Sequence, residues 1–133
     1  LRESSAGRVI MMSSLTGPVM AIRNDVAYGA TKAGMVGLTK SLAVDEAKHG
    51  VTANAVAPGW IETPFTVAGL NLNPDPVAYR KTVEGMHALN RVGTPEEIAK
   101  VIYFLASEES SFMTGSIVTA DGGYLIKNLT ADS

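Results

Sequence analysis

A tyrosine and a lysine four positions apart are the residues whose types and spacing best suit chemistry. Tyr28 and Lys32 lie in a stretch without proline, and helical residues separated by four share one face, with Cβ atoms about 6 Å apart. A phenol in water ionises only near about pH 10, and an adjacent ammonium stabilises the phenolate. Together they could donate and accept a proton. Alone, the spacing is a weak signal, because a solvated lysine beside a half-buried tyrosine produces it as well.

A serine hydroxyl is expected near this pair. Residues 8–13 form a short apolar run that ends in Ser13 and is followed by Ser14 and Gly17, a pattern that favours a strand buried on both faces. Ligands of open α/β sheets bind at the carboxyl ends of the strands. We therefore expect a serine hydroxyl and Tyr28 to face the same cleft.

Periodicity indicates the helix that carries Tyr28. Residues 27–49 predict a long amphipathic helix that ends at Gly50. Its expected packed face consists of Ala30, Ala33, Gly34, Gly37, Leu38 and Leu42. A glycine inside a helix costs about 1 kcal/mol relative to alanine, so Gly34 and Gly37 predict that another backbone approaches closely there.

The remaining elements indicate an α/β fold. A second apolar run, residues 51–57, ends at Pro58 and Gly59, so the chain shows the strand, helix, strand order of a right-handed crossover between parallel strands. Thr94 to Glu97 spell a capping box with proline at the first helical position, and residues 116–120 predict a last strand. Residues 60–90 are less regular apart from a helix start at Pro76, and we assign them to a substrate loop.

Composition limits the possible partners. The 133 residues include no cysteine and carry a net charge of −2, which disfavours nucleic-acid binding, and no apolar run approaches the roughly 20 residues of a membrane span. We expect a cytoplasmic protein without a metal, since His49 and His87 are isolated. The glycosylation pattern at Asn128 is interpreted as chance. Because 46% of the residues are apolar and only 18% are charged, we expect much of the apolar surface to be hidden from water.

Three segments in this order resemble the signatures of the short-chain dehydrogenase/reductase family. They are residues 13–17 (Ser-Ser-Leu-Thr-Gly), 28–34 (Tyr-Gly-Ala-Thr-Lys-Ala-Gly) and 54–59 (Asn-Ala-Val-Ala-Pro-Gly). The later segments 91–99, 114–115 and 121–123 are similar to the family as well. Segments 11–14 and 37–44 are shared with uncharacterised bacterial oxidoreductases of this family.

The resemblance implies a role for several residues in an oxidoreductase that interconverts a hydroxyl and a carbonyl with NAD or NADP. Ser14 would orient the substrate oxygen, Tyr28 would transfer the proton, and Lys32 would hold the nicotinamide ribose and assist Tyr28. The cofactor-binding set would be Tyr28, Lys32, Pro58, Gly59, Ile61 and Thr63. The substrate, a small alcohol or carbonyl compound, could contact Met20, Ile22, Trp60, Phe65 or Met86, although each of these suits a core equally well.

The sequence departs from the family pattern at its beginning. It contains no glycine-rich turn for a cofactor pyrophosphate. We therefore expect the 133 residues to form a single unit: the C-terminal, catalytic half of a Rossmann-like, doubly wound parallel sheet, with about three strands and flanking helices. Such a truncated chain should bind NAD or NADP very weakly and be inactive without the N-terminal half.

A non-catalytic alternative stays open. Under it, the chain is a fragment or oligomerisation module derived from such an enzyme, and the apolar faces left by missing strands drive assembly. The family resemblance implies a homo-oligomer, a dimer or tetramer, under either interpretation.

Overall fold

The computed structural model describes residues 1–127, in which one helix connects the first two strands and three helices connect the second strand to the third. The strands are β1 (Arg8–Met12), β2 (Thr52–Pro58) and β3 (Ile117–Ala120), and the helices are α1 (Val26–Glu46), α2 (Pro64–Asn71), α3 (Pro76–Gly85) and α4 (Pro95–Ala106). Short 3₁₀ turns follow α1 at Ala47–His49 and α4 at Glu108–Ser110. The predicted α/β class is confirmed. The glycosylation pattern at Asn128 lies outside the described residues.

The three strands form one parallel sheet in the order β1-β2-β3. Arg8 pairs with Thr52, and Pro58 pairs with Ala120, so all three strands end at the same edge of the sheet. Within residues 1–127, β1 has a neighbour on one side only. The expectation that β1 is buried on both faces is therefore wrong: four of its five residues are half-buried and Met12 is exposed.

The central strand separates two helical layers. Val56 of β2 packs with Ile98 and Leu105 of α4 in the main core cluster. Because side chains alternate along a strand, the fully buried alanines of β2 lie on the opposite face, where α1 contacts the sheet. Their small size allows α1 to approach closely. No helix within residues 1–127 has both the length and the apolarity to cross a bilayer.

The face of α1 that contacts the sheet differs from the expected one. Thr39 and Ala43 are buried, with Lys32 and Val36 partly covered on the same face, whereas Ala30, Ala33, Gly34, Gly37 and Leu38 are exposed. A Cβ added at Gly34 or Gly37 would meet nothing within 4 Å. The predicted close approach of another backbone is therefore absent within the described chain. Small apolar residues occur on both sides of this helix, so hydrophobicity alone does not distinguish them.

Helices α2, α3 and α4 begin in the same way. Each has proline in its first turn and a preceding Thr63, Asp75 or Thr94 whose side-chain oxygen accepts a backbone N–H. The capping box predicted at Thr94 is confirmed, as is the helix start at Pro76. Helix α2 was missed, because eight residues that include Pro64 and Gly69 carry little helical periodicity.

A buried asparagine joins the central strand to the segment before β3. Asn54 is fully buried; its amide nitrogen donates to the Met113 carbonyl at 2.9 Å and its Oδ1 accepts from the Ser116 N–H at 3.0 Å. Both polar ends of the side chain are satisfied, so the amide adds specific cross-links to an apolar layer. This asparagine opens the 54–59 motif and sets where β3 begins to pair.

The first turn of α4 makes stability depend on pH. The Glu97 carboxylate accepts from the Arg91 guanidinium at 2.6 Å and from the Thr94 N–H at 2.9 Å, and these bonds lower the pKa of Glu97 from 4.5 to about 2. A lowered folded-state pKa stabilises the fold above about pH 4.5, and this contribution is lost as the pH falls towards 2.

We expect Glu97→Gln to reduce the loss of melting temperature between pH 6 and pH 2.5, because the amide keeps a capping oxygen without the titrating charge. Thermal unfolding followed by circular dichroism at both pH values measures the effect. Glu96→Gln is the matched control, since Glu96 is exposed in the same turn and makes no side-chain hydrogen bond within residues 1–127. Equal pH dependence in the two variants would contradict the assignment.

Candidate functional site

A cavity of about 590 Å³ lies at the carboxyl ends of β1 and β2. Ser14, Tyr28 and Lys32 all line it, so the structure brings the three predicted catalytic residues together. The same cavity is lined by the other predicted site residues, which are Met20, Pro58, Gly59, Trp60, Ile61, Thr63 and Phe65. Ile22 lines it too, whereas Met86 does not.

The two serines after β1 have different roles. Ser13 is buried, and its hydroxyl donates to the Lys32 carbonyl at 2.8 Å, which ties the end of β1 to α1. Ser14 is half-buried, and its Oγ accepts from the Thr16 N–H at 3.2 Å. Within residues 1–127 the hydroxyl proton of Ser14 has no acceptor, so it is free to donate to an oxygen in the cavity.

The lysine ammonium lies against the face of the tyrosine ring. Nζ of Lys32 is 5.3 Å from the Tyr28 ring centroid, within the range of a cation–π contact. It also donates to the Met12 carbonyl at 2.7 Å. An ammonium has three protons, so at least one is left for a further oxygen. The contact places positive charge beside the phenol, whose side chain remains accessible at 42% residue exposure.

Two glycines allow the site segments to approach each other. Gly17 has a φ of +102°, and a Cβ there would overlap the carbonyl oxygen of Gly29, one residue after Tyr28. A Cβ at Gly59 would lie 3.0 Å from the Cα of Asp121. The first glycine brings the loop that follows Ser14 onto the beginning of α1. The second brings the end of β2 against the turn after β3.

The segment after β2 presents polar groups to the cavity. Thr63 caps α2, and its hydroxyl also lies 2.9 Å from the Thr66 hydroxyl. Ile61 pairs with Gly93 in an isolated parallel bridge, and its own N–H donates to no acceptor within residues 1–127. Below the cavity, His87 is buried and packs edge-to-face on Tyr124 with ring centroids 5.2 Å apart. Its Nδ1 also lies 2.9 Å from the Val83 carbonyl oxygen, so His87 contributes packing and a hydrogen bond within the described chain.

Several lining residues were not anticipated from the sequence. They include Met12, Asp25, Thr66, Ile98, Ala99, Ile102 and Tyr124. The signal for Asp25 was present, because it precedes Tyr28 by three residues and could share its side of the helix start. The residues of α4 offered no such signal, since only the packing of α4 on the sheet brings them to the cavity.

Comparison with known proteins identifies the family. The family model described as enoyl-(acyl carrier protein) reductase matches residues 1–125. A structure of a short chain dehydrogenase family protein from Francisella tularensis superposes with a TM-score of 0.85 at 32% identity, covering 92% of this chain and 52% of that one. The chain belongs to the short-chain dehydrogenase/reductase family. The predicted resemblance and Rossmann-like sheet are confirmed.

Other members of the family are similarly close. Oxidoreductase UcpA of Escherichia coli O157:H7 is 42% identical over 119 residues, which are 88% of this chain and 45% of UcpA. The structure of ElxO with NADP bound gives a TM-score of 0.81 at 36% identity, covering 95% of this chain and 49% of ElxO. The chain thus spans about half the length of the short-chain dehydrogenase/reductase relatives it matches.

We expect Gly17→Ala to destabilise the fold more than Gly50→Ala. Both glycines have positive φ, so alanine is strained by about 1–2 kcal/mol at each position. At Gly50 an added Cβ meets nothing within 4 Å, whereas at Gly17 it overlaps the Gly29 backbone, which adds about 1–3 kcal/mol of overpacking. Urea unfolding of the two variants measures the difference. Equal losses would show that the contact of the loop with α1 is not tight.

Proposed function

We propose that this chain carries the proton-transfer and substrate-binding residues of an NAD- or NADP-dependent oxidoreductase that interconverts a small alcohol and a carbonyl compound. One observation supports this above the others: Ser14, Tyr28 and Lys32 line a single cavity at the carboxyl edge of a parallel sheet. Family membership supports the reaction class.

Ser14 and Tyr28 act on the substrate oxygen. The free hydroxyl proton of Ser14 donates to a carbonyl oxygen and orients it in the cavity. In the reduction direction the Tyr28 hydroxyl gives its proton to that oxygen, which becomes the alcohol hydroxyl. In the oxidation direction the phenolate accepts the same proton. Exposure of Tyr28 to the cavity is what permits this contact.

Lys32 supports the proton transfer electrostatically. When Tyr28 has lost its proton, the phenolate carries a negative charge, and the nearby ammonium lowers the free energy of that state. The bond from Nζ to the Met12 carbonyl fixes the ammonium on β1. Because the lysine side chain is already held in place, it loses less conformational entropy when it binds a ligand.

The residues present fit the nicotinamide end of the cofactor. The remaining ammonium protons of Lys32 suit the hydroxyls of a ribose, and the Ile61 N–H and Thr63 hydroxyl suit a carboxamide. Pro58 and Gly59, which line the same cavity, would contact the nicotinamide ring. A bound nicotinamide supplies or accepts the hydride. We propose that the isolated 133-residue chain binds NAD and NADP weakly and is inactive, and that the complete protein is cytoplasmic.

We expect Tyr28→Phe to reduce turnover of a carbonyl substrate by at least about a hundredfold, the usual contribution of a general acid. Cofactor affinity should change little, because Lys32 and the segment after β2 remain. The assay uses the native gene product that contains this sequence, with NADPH and NADH consumption and cofactor fluorescence as readouts. Tyr103→Phe, an exposed tyrosine of α4 outside the cavity, is the matched control. Retained turnover in Tyr28→Phe would refute the assignment.

A second candidate function is self-assembly. The exposed side of α1 presents Ala30, Ala33, Gly34, Gly37 and Leu38 to solvent, and Leu38 is 48% exposed. A helix face with glycines and small side chains allows another backbone to approach closely, and covering it removes apolar surface from water. We propose that a second copy of the chain packs there, giving a dimer or tetramer.

We expect Gly37→Glu to shift the protein towards monomer in sedimentation velocity. The substitution puts a charge on the open face of α1, where an added side chain meets nothing within 4 Å inside the chain. Replacing a glycine inside a helix by glutamate should favour the helix by up to about 1 kcal/mol, so the fold itself should not be lost. Gly69→Glu is the matched charge control, because Gly69 lies in α2 and an added Cβ there also meets nothing within 4 Å. If Gly37→Glu leaves the oligomer intact, this face is not the interface.

A further inference from the structure

We infer that the cavity takes an uncharged, largely apolar ketone or secondary alcohol, and that Asp25 is a specificity residue that disfavours anionic substrates. The inference rests on the proposed function, whose substrate class it narrows. Three observations carry it: the apolar mouth of the cavity, the state of its two charged residues, and the position of Phe65.

The mouth of the cavity is apolar. Its lining includes Met12, Ile22 and Phe65, which are 39%, 44% and 89% exposed, while Met20 and Trp60 lie further in and are half-buried. Such side chains gain stability when an apolar ligand covers them. The cavity size of about 590 Å³ is within the range of about 300–1,000 Å³ typical of ligand pockets. Part of this volume is lined by the residues proposed for the nicotinamide, and the part along the apolar side chains would accommodate a substrate with several methylene groups.

Among residues 1–127, only Asp25 and Lys32 are charged residues that line the cavity, and they differ in the contacts they make. Lys32 donates to the Met12 carbonyl and lies over the Tyr28 ring. Within residues 1–127, the Asp25 carboxylate makes no side-chain hydrogen bond or ion pair, although Asp25 is the N-cap residue of α1. The charged group that lines the cavity without a side-chain partner among the described residues is therefore the negative Asp25 carboxylate. A carboxylate or phosphate on the substrate would lose water beside this negative group, and to pair with Lys32 it would have to compete with the Met12 carbonyl and the Tyr28 ring.

Phe65 marks where the apolar part of the substrate lies. It is the second residue of α2, whose start is held by the Thr63 cap, so the ring is attached to a fixed part of the rim. With Ser14 and Tyr28 on the reacting oxygen, the remainder of the molecule extends towards Phe65 and Ile22. An aromatic ring this exposed has most of its surface available for contact.

Trp60 provides a direct readout of binding, because it is the only tryptophan of the chain and lines the cavity. We would titrate the 133-residue chain with pentan-2-one, hexan-2-one and octan-2-one, and with octanoate and octylamine, at pH 8 while following Trp60 fluorescence. Each added methylene should tighten the ketone Kd by about fourfold, which corresponds to ~0.8 kcal/mol per buried CH₂. Octanoate should bind about tenfold or more weakly than octan-2-one.

Two variants, each with a matched control, test the roles of Phe65 and Asp25 in ligand binding. Phe65→Ala should weaken octan-2-one binding by about tenfold, whereas Phe112→Ala, fully exposed outside the cavity, should not. Asp25→Asn should improve octanoate binding severalfold and leave octan-2-one unchanged, whereas Asp45→Asn, exposed near the other end of α1, should change neither. Thermal unfolding followed by circular dichroism establishes that each variant is folded. If Phe65→Ala does not fold, Ile22→Ser is tested in its place.

The outcomes separate this inference from the proposed reaction. Octanoate binding as tightly as octan-2-one, no dependence on chain length, or no ketone binding at all would overturn the substrate class. Octylamine binding more tightly than octan-2-one would overturn it as well, because it would mean that Asp25 selects a cation. If ketones do not bind because a second copy or another segment of the protein covers the cavity, the inference about the substrate class is refuted in the same way. Ketone binding without turnover in the native gene product would leave the inference standing and refute the oxidoreductase proposal.

Discussion

The close approach of the loop after β1 to the first turns of α1 is the constraint on which the candidate site depends. Gly17 lies against the Gly29 backbone, Ser13 donates to the Lys32 carbonyl, and Lys32 donates back to the Met12 carbonyl. These contacts join residues that are about twelve to twenty positions apart in the sequence. They fix the end of the strand relative to the helix, and Ser14 and Tyr28 then face the same cavity without any direct bond between them.

Parallel strand order supplies the rest of the site. Because β1, β2 and β3 all end at one edge, the segments that follow them converge there. The segment after β2 brings Trp60 and Thr63, and the one after β3 brings Tyr124. Gly59 lets two of these segments touch, since its missing side chain leaves room for the Asp121 backbone. The cavity is thus a consequence of topology, and its apolar lining and single uncommitted carboxylate are what distinguish it chemically.

Helix α1 shows that the pattern of apolar residues in a sequence does not always identify the buried face of a helix. The spacing of alanine and glycine indicated a packed face, but the side against the sheet carries Lys32, Val36, Thr39 and Ala43. Thr39 is fully buried and donates to the Met35 carbonyl of its own helix, which removes the cost of burying its hydroxyl. A helix with small apolar residues all round can pack through either side, so the contact partner decides which side is buried.

The sequence by itself determined the fold class, the order of the three strands with α1, α3 and α4, the capping box of α4 and eleven of the twelve residues expected around the site. It could do so because local periodicity, capping chemistry and motif spacing are properties of neighbouring residues. Only the tertiary structure decided which side of α1 is buried, that residues 64–71 form a helix, and that Asp25, Tyr124 and the residues of α4 also line the cavity. Those features depend on contacts between distant segments, which no local pattern encodes.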